Sequence, residues 1–223
     1  GFSGFVSRHF LDYLETLDED FQIEGLDINI PLFDYSHYKK LNCHFTVADL
    51  LNKNDIDSVI SRFKPDYILH LASYSSVAFS WQNPVESFTN NTTIFLNLLE
   101  QVKKSGLNCR ILSVGSSEEY GNVNEVDIPL NEESKLNPVS PYAVARVSQE
   151  MLSKVYVEGY GLDIVLTRSF NHIGPGQRDL FVISSFVKKI IEINNKNLDP
   201  ILETGNLSII RDFLDVRDVV RAY

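Results

Sequence analysis

Short, nearly continuous apolar runs alternate along this chain with longer segments in which apolar residues recur every three to four positions. The short runs predict buried strands over Phe21–Ile28, Asp66–Ser73, Cys109–Ser117 and Leu162–Phe170. Such runs are typical of a parallel sheet covered by helices on both faces. The longer segments predict helices over NDIDSVISRF, TIFLNLLEQVKKSG and PYAVARVSQEMLSKVYVEGYG, the last ending at Gly159 or Gly161. This repeated order predicts an α/β fold with a doubly wound parallel sheet.

The pattern changes after Phe170, where a turn rich in glycine and proline, NHIGPGQRD, precedes one helical segment and IIRDFLDVRD. We therefore predict a Rossmann-type dinucleotide-binding domain over 1–170 and the start of a smaller substrate lobe over 171–223, with a segment that returns to the main sheet. The chain opens on a glycine turn of the kind that follows a buried strand, and it closes inside an apolar helix-like run. We expect it to be part of a longer protein, with the first strand missing.

Composition narrows the function classes. The 223 residues carry a net charge of −10, which argues against a broad phosphate-binding surface and hence against a nucleic-acid partner. Cys43 and Cys109 lie far apart and offer neither a disulfide framework nor a CxxC metal pair, so no metal is expected. No apolar run reaches the roughly 18 residues of a membrane helix, and no signal peptide opens the chain. A cytoplasmic protein with no membrane partner is expected.

The opening GFSGFVS places Gly1 and Gly4 three positions apart, with Ser7 where a third glycine would complete the pattern G-x-x-G-x-x-G. Such glycines let the backbone at a helix N-terminus approach a pyrophosphate, although an ordinary turn has the same appearance. Asp27 lies at the predicted end of the next strand, where a carboxylate can accept from both ribose hydroxyls of an adenosine; a plain turn residue is the alternative. Ile28 follows, with no arginine to neutralise a 2′-phosphate, so NAD is favoured and NADP is the alternative.

Two further residues of this half have more than one interpretation. Asp49 in ADL could accept a hydrogen bond from the adenine amino group, or it could cap the helix that follows. His70 lies inside a predicted buried strand, and no partner ligands lie near it at metal spacing. We expect a core histidine there.

The candidate reacting centre combines two segments. Ser116 and Glu118 follow a predicted strand at its carboxyl end, where such sheets place their ligands. Tyr142 and Arg146 in SPYAVARVSQE are four residues apart and share one helix face. A free tyrosine has a pKa of about 10, and a neighbouring cation stabilises its phenolate, which prepares it for proton transfer. Ser116 could then hold a substrate oxygen beside Tyr142. The alternative is a surface tyrosine and a capping serine.

The ordered motifs GFSGFVS, HLAS, TNNT, GSSEEYG, SPYAVAR and RSFNHIGPGQ resemble those of the extended short-chain dehydrogenase/reductase family. Within that family, SSEEYG, FNHIGPGQ and GNLSIIRDFLDVRD are most similar to the GDP-4-keto-6-deoxy-mannose reductases, followed by the GDP-mannose 4,6-dehydratases. The match runs nearly end to end, without the first strand and a C-terminal stretch of the family. The resemblance implies a homodimer that acts on a nucleotide sugar, with a GDP-linked one favoured.

The resemblance also implies roles for individual residues. The catalytic set is Tyr142 as the acid/base, Ser116 as its hydroxyl partner, Glu118 and Arg146. Asn90 would brace the cofactor region, and His172 would lie near the nicotinamide. The whole cofactor-binding set is Gly1, Gly4, Phe5, Asp27, Ile28, Asp49, Leu50, Leu71, Ala72, Ser73, Asn90, Tyr142, Arg146 and His172. The substrate-binding set is Ser75, Ser76, Asn171, Val182, Lys188 and Arg211.

Arg146 is a departure, because the family has lysine there, bonded to the nicotinamide ribose. Arginine keeps the charge and the donors but is planar and wider. Glu118 suits a dehydratase that removes the C5 proton, yet the family's reductases also carry this glutamate. FNHIGPGQ favours C4-keto reduction; dehydratase or epimerase activity is the alternative. Ser7 and Arg146 leave a third interpretation, a binding protein without turnover.

Overall fold

The computed structural model describes residues 1–196 and 198–223, which divide into two compact units, Gly1–Ser169 and Phe170–Tyr223. The strands of the first unit are β1 (Phe21–Asp27), β2 (Leu41–Val47), β3 (Tyr67–His70), β4 (Arg110–Val114) and β5 (Asp163–Thr167). Its α-helices are α1 (Phe5–Thr16), α2 (Lys53–Phe63), α3 (Val77–Gln82), α4 (Pro84–Ser105) and α5 (Pro141–Tyr160). Two 3-10 turns cover Ser117–Tyr120 and Glu125–Asp127. The four predicted strands are confirmed; β1 nearly fills its apolar run, whereas β3, β4 and β5 cover about half of theirs.

All strand pairs of this unit are parallel, as predicted, but they form two sheets, β1-β2 and β3-β4-β5. β1 and β3 do not pair in the part of the chain that the structure describes, so the parallel sheet is interrupted between them. The glycine turn lies at this interruption. The backbone nitrogens of Gly1 and Phe2 donate to the Leu26 carbonyl at the end of β1, at 2.9 and 3.1 Å.

Capping residues fix the ends of the two long helices. α4 has Pro84 in its first turn and ends at Gly106, whose φ of 65° favours glycine. α5 begins after Ser140, whose side chain accepts a hydrogen bond from the amide of Ala143 at 3.1 Å. It ends at Gly161 with φ of 70°, which decides between the two glycines that the sequence offered.

The larger core lies between the β3-β4-β5 sheet and helices α2, α4 and α5. Ile56, Phe95, Leu99 and Ile111 are fully buried there, against Tyr156 of α5. Burying one such aliphatic or aromatic side chain contributes about 1.5–3 kcal/mol. This packing fixes α5, the helix that carries Tyr142, against the sheet.

The second unit contains β6 (Asn171–Ile173), α6 (Val182–Lys196), β7 (Phe213–Asp215) and α7 (Val216–Ala222). β6 and β7 are parallel neighbours, although about forty residues separate them in sequence. Asp215 caps α7 by accepting a hydrogen bond from the amide of Arg217 at 2.8 Å. The role of this unit as a substrate lobe stays a prediction. None of the helices described is long and apolar enough to cross a membrane.

Candidate active site

The glycine turn and the predicted ribose carboxylate lie together. Asp27 ends β1, and its two oxygens accept hydrogen bonds from the amides of Ser3 and Asn29 at 3.1 and 2.9 Å. Gly4 is the residue before α1, which begins at Phe5. A Cβ on Gly1 would lie 2.7 Å from the backbone nitrogen of Ala72, and a Cβ on Gly4 would lie 3.2 Å from the Gly1 carbonyl. The close turn therefore requires glycine most strongly at its first position.

Ser7 replaces the third glycine without an unpaired polar group. It is buried, and its hydroxyl donates to the Phe2 carbonyl within the turn. The Gly4 carbonyl lies 3.1 Å from the same hydroxyl. Serine at this position is thus tied to the turn that it follows.

The segment after β2 corrects one of the two interpretations of Asp49. The cap of α2 is Asn52, whose side chain accepts from the amide of Asn54 at 3.1 Å, so Asp49 is not the helix cap. Asp49 instead turns the loop by accepting from the amide of Leu51 at 2.8 Å. Its carboxylate is exposed, and the neighbouring Leu50 is half-buried. A ligand contact by either residue stays a prediction.

The loop after β3 is braced by a residue that the sequence interpretation missed. Asn91 of α4 is buried, accepts from the amide of Tyr74 at 2.8 Å and donates to the Tyr74 carbonyl at 3.0 Å. Asn90, the predicted brace, contacts only Asn91 among the bonds described, at 3.3 Å. The helical spacing of Ser87, Asn91 and Ile94 on the buried face of α4 was the signal that could have identified Asn91.

The other predicted residues of this loop differ in exposure. Leu71 and Ala72 face Gly1, and Ser73 is half-buried. Ser75 is exposed, whereas Ser76 caps α3 by accepting from the amide of Phe79 at 3.1 Å. The hydroxyl of Ser76 therefore already has a structural partner.

His70 is the core histidine that the sequence predicted. It is 4% exposed, and its ring centre lies 5.0 Å from that of Phe95. Burial, followed by the nearby charge of Arg146, lowers the pKa of His70 to about 3. The ring is therefore neutral at physiological pH.

Tyr142 and Arg146 form a direct pair on the buried face of α5. Arg146 Nε donates to the Tyr142 hydroxyl oxygen at 3.1 Å, and both side chains are at least 94% buried. Nη1 of Arg146 donates to the Val114 carbonyl at 3.1 Å and to Gln149 Oε1 at 2.8 Å. Nη2 donates to Ser73 Oγ at 2.6 Å. The guanidinium thus joins α5 to the carboxyl ends of β3 and β4, beside the hydroxyl of Tyr142.

Ser116 lies two residues beyond Val114 and caps the 3-10 turn Ser117–Tyr120, which packs against α5. Its hydroxyl oxygen accepts from the amide of Glu118 at 3.2 Å, and its own amide donates to Glu119 Oε1 at 2.7 Å. Glu118 is half-buried in the first residues of that turn. The packing of this turn against α5 brings the segment that follows β4 to the helix that carries Tyr142.

Sequence reasoning missed a buried polar cluster behind this centre. Gln149 Nε2 donates to Ser113 Oγ at 2.7 Å, while Glu150 accepts two hydrogen bonds from Arg168 at 2.8 Å each. These hydrogen bonds outweigh desolvation and lower the pKa of Glu150 to about 2. Gln149 and Glu150 follow Arg146 at helical spacing, and this spacing was the available signal.

The remaining predicted residues lie in the second unit. His172 is half-buried, and burial lowers its pKa. Asn171 donates to the Asp212 carbonyl at 3.3 Å. Lys188, a predicted substrate-binding residue, is exposed and ion-paired with Asp179, and its contact with a substrate stays a prediction. Val182, at the start of α6, is exposed, and so is Arg211.

Comparison with known proteins identifies the family to which this chain belongs. A family model described as GDP-mannose 4,6 dehydratase matches residues 1–223. The chain belongs to the GDP-mannose 4,6 dehydratase family. This confirms the resemblance inferred from the motifs. Enzymes of this type include NAD(P)-dependent nucleotide-sugar reductases, dehydratases and epimerases.

Two relatives and one solved structure are similar to this chain. The GDP-6-deoxy-D-mannose reductase of Pseudomonas aeruginosa is 32% identical over 223 residues, which are 100% of this chain and 67% of that protein. The GDP-mannose 4,6-dehydratase of Yersinia enterocolitica is 29% identical, over 99% of this chain and 61% of that protein. A structure of RMD from Pseudomonas aeruginosa complexed with NADPH has a TM-score of 0.82 and 31% identity, covering 100% of this chain and 68% of its own. This family member therefore spans roughly two thirds of these relatives.

Proposed function

We propose that this chain carries the cofactor turn and reacting centre of an NAD(P)H-dependent reductase that converts the C4 keto group of a GDP-4-keto-6-deoxy-hexose to an alcohol. The observation that carries the proposal is the buried hydrogen bond from Arg146 Nε to the Tyr142 hydroxyl oxygen, at 3.1 Å. Similarity to the Pseudomonas aeruginosa reductase supports this substrate class.

In the proposed mechanism, Tyr142 gives its proton to the substrate's C4 oxygen. The negative charge that develops on the tyrosine oxygen is stabilised by the Arg146 guanidinium, which already donates to that atom. Ser116 donates its hydroxyl hydrogen to the same substrate oxygen and orients it. A bound nicotinamide cofactor supplies the hydride.

The residues at the glycine turn fit a dinucleotide. Because Gly1 and Gly4 have no Cβ, the chain can turn tightly before the N-terminus of α1. The backbone amides at a helix N-terminus favour binding of a pyrophosphate. Asp27 is held by two backbone amides and would accept from the adenosine ribose hydroxyls. We propose NAD(H) as the preferred cofactor, because a carboxylate at this position repels a 2′-phosphate. NADP(H) is the alternative, since the similar structure of RMD from Pseudomonas aeruginosa is complexed with NADPH.

A 4,6-dehydratase is the second candidate. Glu118 supports it, because a half-buried carboxylate two residues from Ser116 could take a proton from C5 of a sugar. Epimerase activity and a binding function without turnover are further alternatives.

We also propose a homodimer formed through the outer faces of α3, α4 and α5. An open apolar groove there includes Trp81, Val85, Phe88 and Val144, and Trp81 and Val85 are 63% and 78% exposed. Apolar area of this kind marks an interaction surface. Sedimentation of the full-length protein and of Phe88→Glu tests this, with a monomer expected for the variant.

A cytoplasmic location is proposed, in keeping with the two free cysteines.

The deciding experiment for the activity uses the full-length protein. Incubation with GDP-4-keto-6-deoxy-mannose and NADH or NADPH should oxidise the cofactor and yield the 4-hydroxy sugar. Conversion of GDP-mannose to its 4-keto-6-deoxy form without added reductant would favour the dehydratase instead.

A further inference from the structure

Glu119 lies directly behind Ser116 in a space shaped for its carboxyl group. The side chain is fully buried, and its Oε1 accepts from the amide of Ser116 at 2.7 Å. Ser116 and Glu119 cap each other at the start of the 3-10 turn. Gly115 leaves the necessary room, because a Cβ there would lie 2.4 Å from both Glu119 Oε1 and the Thr167 carbonyl.

The other oxygen of this carboxyl group has no partner unless it carries a proton. Glu119 Oε2 is buried and has no hydrogen-bond partner among the described residues. The group beside it is Glu150, another acceptor, which interacts with it electrostatically. Glu150 is held in its ionised form by Arg168 and Lys154, both at 2.8 Å. A proton on Oε2 would give the orphan oxygen a hydrogen bond to donate, and it would remove a repulsion between two buried carboxylates.

We propose that Glu119 is a positioning residue for the reaction, whose protonated carboxyl group accepts from the Ser116 amide, donates to Glu150 and thereby fixes the Ser116 hydroxyl beside the Tyr142 face of α5. This inference rests on the proposed reductase function. Glu119 touches neither substrate nor cofactor in this role, and it acts through Ser116. It differs from Glu118, the half-buried carboxylate that the sequence singled out.

The charged groups around Glu119 set the pH range of this arrangement. Burial, as the main cause, and the charge of Glu150 together raise the pKa of Glu119 to about 7, although the Ser116 amide and the Arg146 cation oppose the rise. Arg168 and Lys154 act mainly through Glu150, to which both are bonded. Above neutrality Glu119 ionises next to Glu150, the donated hydrogen bond is lost, and the turn carrying Ser116 is released. Turnover should therefore decline on the alkaline side.

Two variants of the full-length protein test the inference. Glu119→Gln keeps an acceptor for the Ser116 amide and supplies an NH₂ donor to Glu150 without a titratable proton. Glu119→Leu fills the space and removes both hydrogen bonds. The matched control is Glu158→Gln, which neutralises an exposed glutamate on α5.

We expect Glu119→Leu to lower kcat by about tenfold or more, with cofactor affinity by calorimetry unchanged, because misplacement of a reacting group costs chemistry more than binding. Glu119→Gln should rescue kcat and extend activity to higher pH than in the parent or in Glu158→Gln. A Glu119→Gln profile with the parent's alkaline decline, or a Glu119→Leu kcat equal to the parent's, would overturn the inference.

A readout independent of turnover separates this inference from the proposed function. Carbon-detected NMR of the glutamate carboxyl groups should show a resonance that titrates near neutrality in the parent and is missing in Glu119→Gln. If Glu119 is already ionised at pH about 5, the proton-sharing arrangement is wrong even in an active enzyme. If the resonance titrates as expected but no keto sugar is reduced, the proposed function fails and the carboxyl pair stands.

Discussion

Arg146 donates a hydrogen bond from Nε to the hydroxyl oxygen of Tyr142 at 3.1 Å, and its two terminal nitrogens are bonded to other acceptors. Those acceptors are the Val114 carbonyl, Gln149 and Ser73. A lysine ammonium is a single point with three donors, whereas the guanidinium has five in a plane. The surroundings of Arg146 are thus matched to arginine, which gives the departure from the family's lysine a structural reason.

The first prediction concerns Tyr142→Phe in the full-length protein. Removing the hydroxyl should lower kcat by at least about 10²-fold, the usual scale of acid/base catalysis. Cofactor and nucleotide-sugar affinities should stay within a factor of about two, because the ring remains in place. Steady-state kinetics and calorimetry measure the two effects. Turnover at the parent rate would show that Tyr142 is not the acid and would favour a binding function.

The second prediction concerns Arg146→Lys in the full-length protein. The charge alone suggests that Arg146→Lys retains activity, but lysine cannot reach Ser73, Gln149 and the Val114 carbonyl together with the Tyr142 hydroxyl. At least one buried acceptor is then unpaired, at a cost of about 1–3 kcal/mol in the free energy of unfolding. We expect lower stability in urea and lower kcat. The control is Arg221→Lys, an exposed arginine on α7, and equal losses in both variants would refute the role of the matched acceptors.

The comparison of sequence with structure shows why some features were predictable and others were not. Strand runs and the end of α4 at Gly106 depend on local pattern and backbone conformation, so the sequence reveals them. The brace by Asn91 depends on which side of α4 faces the loop after β3, whereas the predicted role of Asn90 in the cofactor region stays a prediction. The Lys188–Asp179 pair depends on how the chain turns between the two residues, which their separation in sequence does not reveal. Such contacts depend on which distant segments of the chain become neighbours in the fold, and the sequence alone does not show this.

The third prediction concerns Asp27 and cofactor choice. Asp27→Asn keeps the side-chain shape but removes the negative charge and one of the two oxygens that would accept hydrogen bonds from the ribose hydroxyls. A hydrogen bond to a charged group is worth about 1.5–3 kcal/mol, so NADH affinity should fall by roughly tenfold or more. NADPH affinity should fall less or rise, since the repulsion of the 2′-phosphate is reduced. Calorimetric titration of both cofactors checks this, with exposed Asp18→Asn as the control. Equal losses for the two cofactors would contradict a ribose-specific role.

The last prediction tests the ion pair that supports the Ser116 turn. Arg168 binds both oxygens of Glu150, and the two side chains are 11% and 5% exposed. Arg168→Met leaves the Glu150 charge with Lys154 alone, and breaking such a buried pair costs about 3–5 kcal/mol. The exposed pair of Arg110 and Asp163 provides the control, because Arg110→Met should cost no more than about 1 kcal/mol.

The Arg168–Glu150 pair should also make the free energy of unfolding depend on pH in the acidic range. The pKa of Glu150 is lowered to about 2, chiefly by its hydrogen bonds to Arg168. Because the pKa of Glu150 is lower in the folded protein, the unfolded chain binds the proton more readily. The contribution of the Arg168–Glu150 pair to the free energy of unfolding is therefore complete above the ordinary glutamate pKa, and it is lost as pH falls towards 2. The difference in free energy of unfolding between parent and Arg168→Met should therefore be largest near neutral pH and shrink below pH about 4.5. Urea denaturation of the full-length proteins at several pH values measures it. A difference that stays constant down to the lowest pH would mean that Arg168 stabilises the fold by packing on Tyr120, whose ring centre lies 5.0 Å from its guanidinium, and not through the charge of Glu150.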